Sequence, residues 1–178
     1  AADSSLTVAG CTFKGNHAVV NGGGIGNSDS ALTLTSAMVL ENSAEQDGGG
    51  LYNLSAANVI VSNCTLAGNV AGVNGGAIRN DTGVVKVTDC ILWDNAPDSI
   101  FNSGLAAVTA TYSDIEGGYA GTQNRNEDPM FVDAAHGCFR LHPWSPCVDT
   151  GRSTATAAFG SVLLDYERDA RGFDGDGM

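Results

Sequence analysis

Basic residues are scarce in this chain. Eight Lys and Arg stand against 20 Asp and Glu over 178 residues, for a formal net charge of −12. A nucleic acid or an anionic bilayer needs a basic surface, so the composition excludes both as partners. It describes a self-repelling particle with room for divalent cations. No apolar run approaches the roughly 20 residues of a membrane-spanning helix. The chain does not open on a basic stretch followed by an apolar one, so any secretion signal is expected outside it. Its end in polar sequence, Asp174-Gly-Asp-Gly-Met178, suggests a piece of a larger parent. Histidine occurs only as His17, His136 and His142, at unrelated spacings, and no Cys/His pattern matches a zinc site. Proline is down to 4 residues and aromatics to 7%. Helical periodicity is missing throughout.

Glycine is abundant, at 24 residues, and much of it recurs in phase. Cys64-Thr-Leu-Ala-Gly-Asn-Val-Ala-Gly-Val-Asn-Gly-Gly-Ala-Ile-Arg-Asn80 aligns without a gap on Cys11-Thr-Phe-Lys-Gly-Asn-His-Ala-Val-Val-Asn-Gly-Gly-Gly-Ile-Gly-Asn27, identical at 11 of 17 positions. A looser copy covers 37–53. Each copy is preceded by a short apolar-polar-apolar strand: Leu6-Thr-Val8, Leu32-Thr-Leu34, Val59-Ile-Val61, Val85-Lys-Val87 and Val108-Thr-Ala110. Their starts lie 26, 27, 26 and 23 residues apart. Alternation points the outer residues inward, with Ile60 an apolar exception in the outward place. Second strands centre on Phe13, Val39, Leu66, Leu92 and Ile115. A third inward position falls at Ile25, Leu51, Ile78 and Ile100. Three short strands per repeat, with about five repeats, predict an all-β solenoid: a right-handed, single-stranded parallel β-helix. Residues 1–127 form its coils. Residues 128–178 form an irregular final coil and C-terminal cap of the same domain.

Two asparagine columns fit this reading. Asn16, Asn42, Asn69 and Asn95 share one phase, and Asn27, Asn53, Asn80 and Asn102 another. Both are placed at corners, where Asn tolerates left-handed backbone angles and where stacked amides can hydrogen-bond from coil to coil. The Gly22, Gly48 and Gly75 column, with its followers, allows positive φ or close backbone approach. Cys11, Cys64 and Cys90 share a phase and are expected as buried, stacked thiols. Cys138 and Cys147 lie outside the repeat. They either close their loop as a disulfide, the expectation for a secreted chain, or remain two core thiols. Coil four loses four residues and its glycines around Asn95-Ala-Pro-Asp-Ser-Ile-Phe-Asn102. Coil five keeps only two strands. Asp128–Asp133 and Cys138–Leu141 read as strands of irregular final coils, with Trp144 plugging the end of the core.

The Gly-Gly-Ala-Ile and Phe-x-x-Asn motifs, here Gly75-Gly-Ala-Ile78 and Phe13-Lys-Gly-Asn16, resemble the repeats of polymorphic outer-membrane proteins. The tail from Asp128 to Gly151, with Asp165-Tyr-Glu-Arg-Asp-Ala-Arg171, resembles the end of choice-of-anchor Q surface proteins, which are pectin-lyase-like. Together the two resemblances cover nearly the whole chain. They imply a β-helix in a secreted or surface-attached bacterial protein, and no particular reaction.

Chemistry is harder to place. A uronate lyase needs a cation and a base together. Lys14, Arg79 and Lys86 share neither a cluster nor a phase, and Lys86 reads as a solvated outward residue. A glycoside hydrolase needs paired carboxylates. Asp89, Asp94, Asp114 and Glu116 flank strands, but Asp89 aligns with Asn63 and Tyr112, so no acid column forms. Asp174 and Asp176 have the look of a calcium loop without the closing Glu of an EF-hand, and Ca²⁺ is the sole cofactor suggested. An acidic terminus explains them equally. Outward Tyr52, Trp93, Phe101 and Tyr112 are candidates for stacking on sugars, with Tyr52 and Phe101 in one phase. The sequons at Asn53, Asn63 and Asn80 read as structure. The expected role is structural or adhesive, with self-assembly end to end or side by side, or binding to surface glycans. The alternative is a carbohydrate-binding or polysaccharide-degrading domain.

Overall fold

The computed structural model describes residues 4–54, 56, 58–148, 150 and 151. The first coil contains β1 (Ser4–Ala9), β2 (Thr12–Lys14), β3 (His17–Ala18) and β4 (Ile25–Asn27), and the second β5 (Ser30–Thr35), β6 (Met38–Leu40), β7 (Ser43–Ala44) and β8 (Leu51–Asn53). The third contains β9 (Val59–Ser62), β10 (Thr65–Ala67), β11 (Val70–Ala71) and β12 (Ile78–Asn80). The fourth has β13 (Val84–Thr88), β14 (Ile91–Trp93) and β15 (Ile100–Asn102), and the fifth only β16 (Ala107–Thr111) and β17 (Asp114–Ile115). Like strands of successive coils pair in parallel, giving sheets β1-β5-β9-β13-β16, β2-β6-β10-β14-β17, β3-β7-β11 and β4-β8-β12-β15. The chain is therefore a parallel β-helix.

The expected registers are the observed ones: Leu6 faces Leu32, Phe13 faces Val39 and Ile25 faces Leu51. The inward residues stack into one core in which Leu34, Val39, Leu51, Val61, Leu66, Ile78, Val87 and Leu92 are wholly buried. The first three coils carry a fourth, two-residue strand that the sequence reading did not separate from the turn beside it.

The corners work differently from the expectation. Left-handed angles fall on the residues before the asparagines, at Gly15, Glu41, Gly68 and Asp94, and at Ser36, Asn63, Asp89 and Tyr112 after the first strand. The ladder asparagines are not among them. Their contribution is hydrogen bonding. Nδ2 of Asn16, Asn42 and Asn69 donates to Oδ1 of the next coil's asparagine at 2.9, 3.0 and 3.0 Å, and those oxygens also accept the backbone N–H of the preceding rung. The second column runs Asn27 to Asn53 to Asn80 to Asn102 at 2.8, 2.9 and 3.4 Å. Leaving such buried groups unpaired would cost on the order of 1–3 kcal/mol each.

Of the glycine column, Gly48 has φ +68°, and a Cβ on Gly49 would stand 2.5 Å from the Val70 carbonyl oxygen. One position supplies the left-handed turn and the next lets two coils touch. In coil four the shortened turn is repaired by Asp98, whose Oδ1 accepts the Gly75 N–H at 2.8 Å.

Three expectations about the periphery are corrected. Cys64 and Cys90 are buried, but Cys11 is exposed, because the first coil has no coil beneath it among the described residues. The segment after coil five does not continue as coils. Phe131–Asp133 (β18) and Cys138–Leu141 (β19) form an antiparallel hairpin around a 3₁₀ turn at Ala134–His136. That hairpin lies along the flank of the second sheet, where Phe139 packs on Leu40 and Ala67. The coil-five end is covered instead by residues 119–126. Tyr119 packs against the core, and Asn124 accepts from the Ser113 N–H and donates to the Ala110 oxygen. Trp144 plugs nothing: it is 80% exposed and rests on His142.

Candidate functional site

The outward positions of the second strand bracket its inward centre: Met38 and Leu40, Thr65 and Ala67, Ile91 and Trp93. Five of these six are apolar, which a solvated face does not require. The structure shows why for part of the column, since the β18–β19 hairpin packs on Met38, Leu40 and Ala67. Leu40 and Ala67 are 2% and 1% exposed beneath Phe139, which meets Phe131 edge-on at 5.2 Å. That apolar column was the available signal for the hairpin's seat, and periodicity reasoning passed over it.

The cover is incomplete. Between hairpin and sheet runs a groove of about 540 Å³, with Ala67 and Gly68 in its floor. Trp93 stands on the sheet side, Met130 and Phe131 on the hairpin side, and Glu41, Asp94 and Asp128 also line it. Glu41 pairs with Lys14 at 3.4 Å, and Asp128 Oδ1 accepts the Met130 N–H at 2.8 Å. Asp94 also borders an adjoining hollow of about 450 Å³ lined by Asp98, Ser99, Glu116 and Tyr119. Its backbone N–H donates to Glu116 Oε2 at 2.6 Å.

Tyr52 and Phe101 are in one column, as expected, with Arg79 between them. The three do not form an open platform. The Arg79 guanidinium lies 4.4 Å over the Phe101 ring and pairs with Asp81 at 2.6 Å and Asp47 at 3.7 Å. Tyr52 donates to Asp81 at 2.6 Å, and burial first, then that carboxylate, pushes its phenol up to about 12. These side chains hold one another.

The acids divide by burial. Asp114 is buried, accepting the Glu127 N–H through Oδ1 and the Cys147 thiol through Oδ2 at 3.0 Å. Cys147 and Cys138 are thus separate thiols, not the expected disulfide, and Cys147 is turned onto a carboxylate. Burial, reinforced by Asp114, pushes the Cys147 thiol up to about 12. Burial likewise raises Cys90, whose sulfur accepts the Cys64 N–H. Lys86 is exposed, as its outward position required. Asn53 and Asn80 are ladder members, and Asn63 occupies a left-handed corner.

Among the described residues no group of three or more His, Cys, Asp or Glu could hold a metal ion. Asp174 and Asp176 lie outside those residues. No described helix is long and apolar enough to cross a membrane. The chain matches no family model, no curated protein and no solved structure.

Proposed function

We propose that this chain is a structural and adhesive β-helix module of a secreted or surface-attached bacterial protein, and that it joins to a second copy of itself through the first coil. The resemblance to polymorphic outer-membrane-protein repeats and choice-of-anchor Q proteins supports the location, and the net charge of −12 suits a particle kept dispersed until its ends meet.

The observation that carries the joining is the difference between the two ends. At the coil-five end, residues 119–126 hydrogen-bond to the last strands. At the other end β1, β2, β3 and β4 each form a sheet edge with no strand beyond among the described residues. There the core rungs are uncovered: Leu6 is 57% exposed where its neighbour Leu32 is 3% exposed. An exposed apolar rung at the edge of a sheet is a template for further strands. Pairing of two first coils is isologous and closes at a dimer, whereas head-to-tail stacking would give filaments.

Light scattering behind size exclusion tests this. The expected result is a dimer favoured by salt, which screens repulsion between the acidic copies. Leu6→Glu is expected to give a folded monomer, with its circular dichroism unchanged. A wild-type chain that stays monomeric at all concentrations and salt levels would overturn the joining.

A further inference from the structure

We propose that the groove between the β18–β19 hairpin and the second sheet binds a glycan of uncharged or amino sugars, with a sugar ring seated against Trp93. This gives the adhesive part of the reading above its ligand and place, and it does not depend on the dimer.

The groove is made by side-chain size. Leu40 and Ala67 carry Phe139, but small Ala67 and Gly68 leave a depression before Trp93 rises on the next coil. Its volume of about 540 Å³ lies in the range of small-ligand clefts, roughly 300–1,000 Å³. A sugar ring has apolar C–H faces and a rim of hydroxyls, so its complement is an aromatic or apolar wall edged by hydrogen-bond acceptors. Trp93, Met130 and Phe131 supply the wall. Asp94, Asp128 and Glu41 supply the edge. The Trp93 ring nitrogen and the Asp94 carboxylate have no partner among the described residues, so both are available to hydroxyls.

Charge selects the class of sugar. Asp94 continues into the hollow edged by Asp98 and Glu116, and the whole chain is at −12. Uronates and sulfated sugars would bring anions into that field. Neutral rings enter without penalty, and protonated amino groups gain from it. The groove thus selects against the substrates of a uronate lyase.

Tryptophan fluorescence in a Trp144→Phe background isolates Trp93. The probes are chitosan oligomers, neutral cello-oligosaccharides and oligogalacturonate. Saturable quenching or a spectral shift is expected with at least one of the first two, and none with oligogalacturonate. A dominant amino-sugar interaction would weaken with added salt and with Asp94→Asn, while a neutral one would be insensitive to salt. By calorimetry, Trp93→Ala is expected to weaken binding roughly tenfold or more, and Trp93→Phe to retain most of it. Failure of all three probes to saturate, equal binding of oligogalacturonate, or unchanged affinity in a folded Trp93→Ala protein would overturn the proposal. None of these outcomes moves the dimer measured by light scattering, so the two ideas fail separately.

Discussion

The asparagine ladder permits a controlled comparison, because the same side chain occurs buried at Asn69 and exposed at Asn16. The Asn69 carboxamide makes four contacts. Its Nδ2 donates to Val39 O at 2.8 Å and Asn95 Oδ1 at 3.0 Å, and its Oδ1 accepts the Asn42 backbone N–H at 3.1 Å and Asn42 Nδ2 at 3.0 Å. In Asn69→Ala, Asn95 Oδ1 keeps the Asn69 N–H and Asn42 Nδ2 keeps Phe13 O. The Asn42 N–H loses its acceptor inside a fully buried residue, and Val39 O loses a donor. One orphaned amide at about 1–3 kcal/mol, with the lost net contribution of the remaining bonds, gives roughly 3–5 kcal/mol. Asn16→Ala leaves Asn42 Oδ1 the Asn16 N–H at a position water reaches, so its cost is at most about 1 kcal/mol. Urea unfolding followed by circular dichroism reads the difference, which is expected to exceed about 2 kcal/mol. Equal losses for the two variants would mean that burial does not set the ladder's worth, and the reasoning would fall.

Other expectations follow from the same contacts. Gly49→Ala forces a Cβ onto the Val70 backbone and is expected to lower the melting temperature sharply, while Gly26→Ala, where a Cβ would meet nothing within 4 Å, should leave it nearly unchanged. Thiol titration of the denatured, unreduced chain should count all five cysteines as free, and in the native chain exposed Cys11 should label well before Cys90 or Cys147. Cys147 and Tyr52 hold their protons more tightly folded than unfolded, so their contribution is intact below the unfolded values of roughly 9 and 10 and is lost as pH rises toward about 12. Unfolding across alkaline pH should show that decline, flattened in part by Cys147→Ser and by Tyr52→Phe. Phe139→Ala removes the side chain seated on Leu40 and Ala67, and limited proteolysis should then cut within 131–141 while the coils persist.

The repeat made the coils legible because every coil solves one problem, and the residues that solve it recur in phase. Leu32, Val59 and Val85 are inward for the same reason, and the strand partners could be named without coordinates. The corners were placed correctly but explained by the wrong residue. Left-handed geometry at Glu41 or Asp94 has no sequence signature like that of glycine, whereas the neighbouring asparagines do, and theirs comes from hydrogen bonding. Tyr52 and Phe101 were found as a column, yet sequence phase cannot say that Arg79 would close over Phe101.

Sequence alone thus determined the parallel β-helix, its registers, both ladders and the acidic charge, since these depend on contacts between equivalent positions of a periodic chain. Only the tertiary structure decided where the nonrepeating segment goes. The fold of Phe131–Leu141 along the flank, the pairing of Cys147 with Asp114 and the groove beside Trp93 join positions that share no period. Their placement depends on which exposed apolar surface the last segment can reach and cover, and for this chain that surface is the column of Leu40 and Ala67.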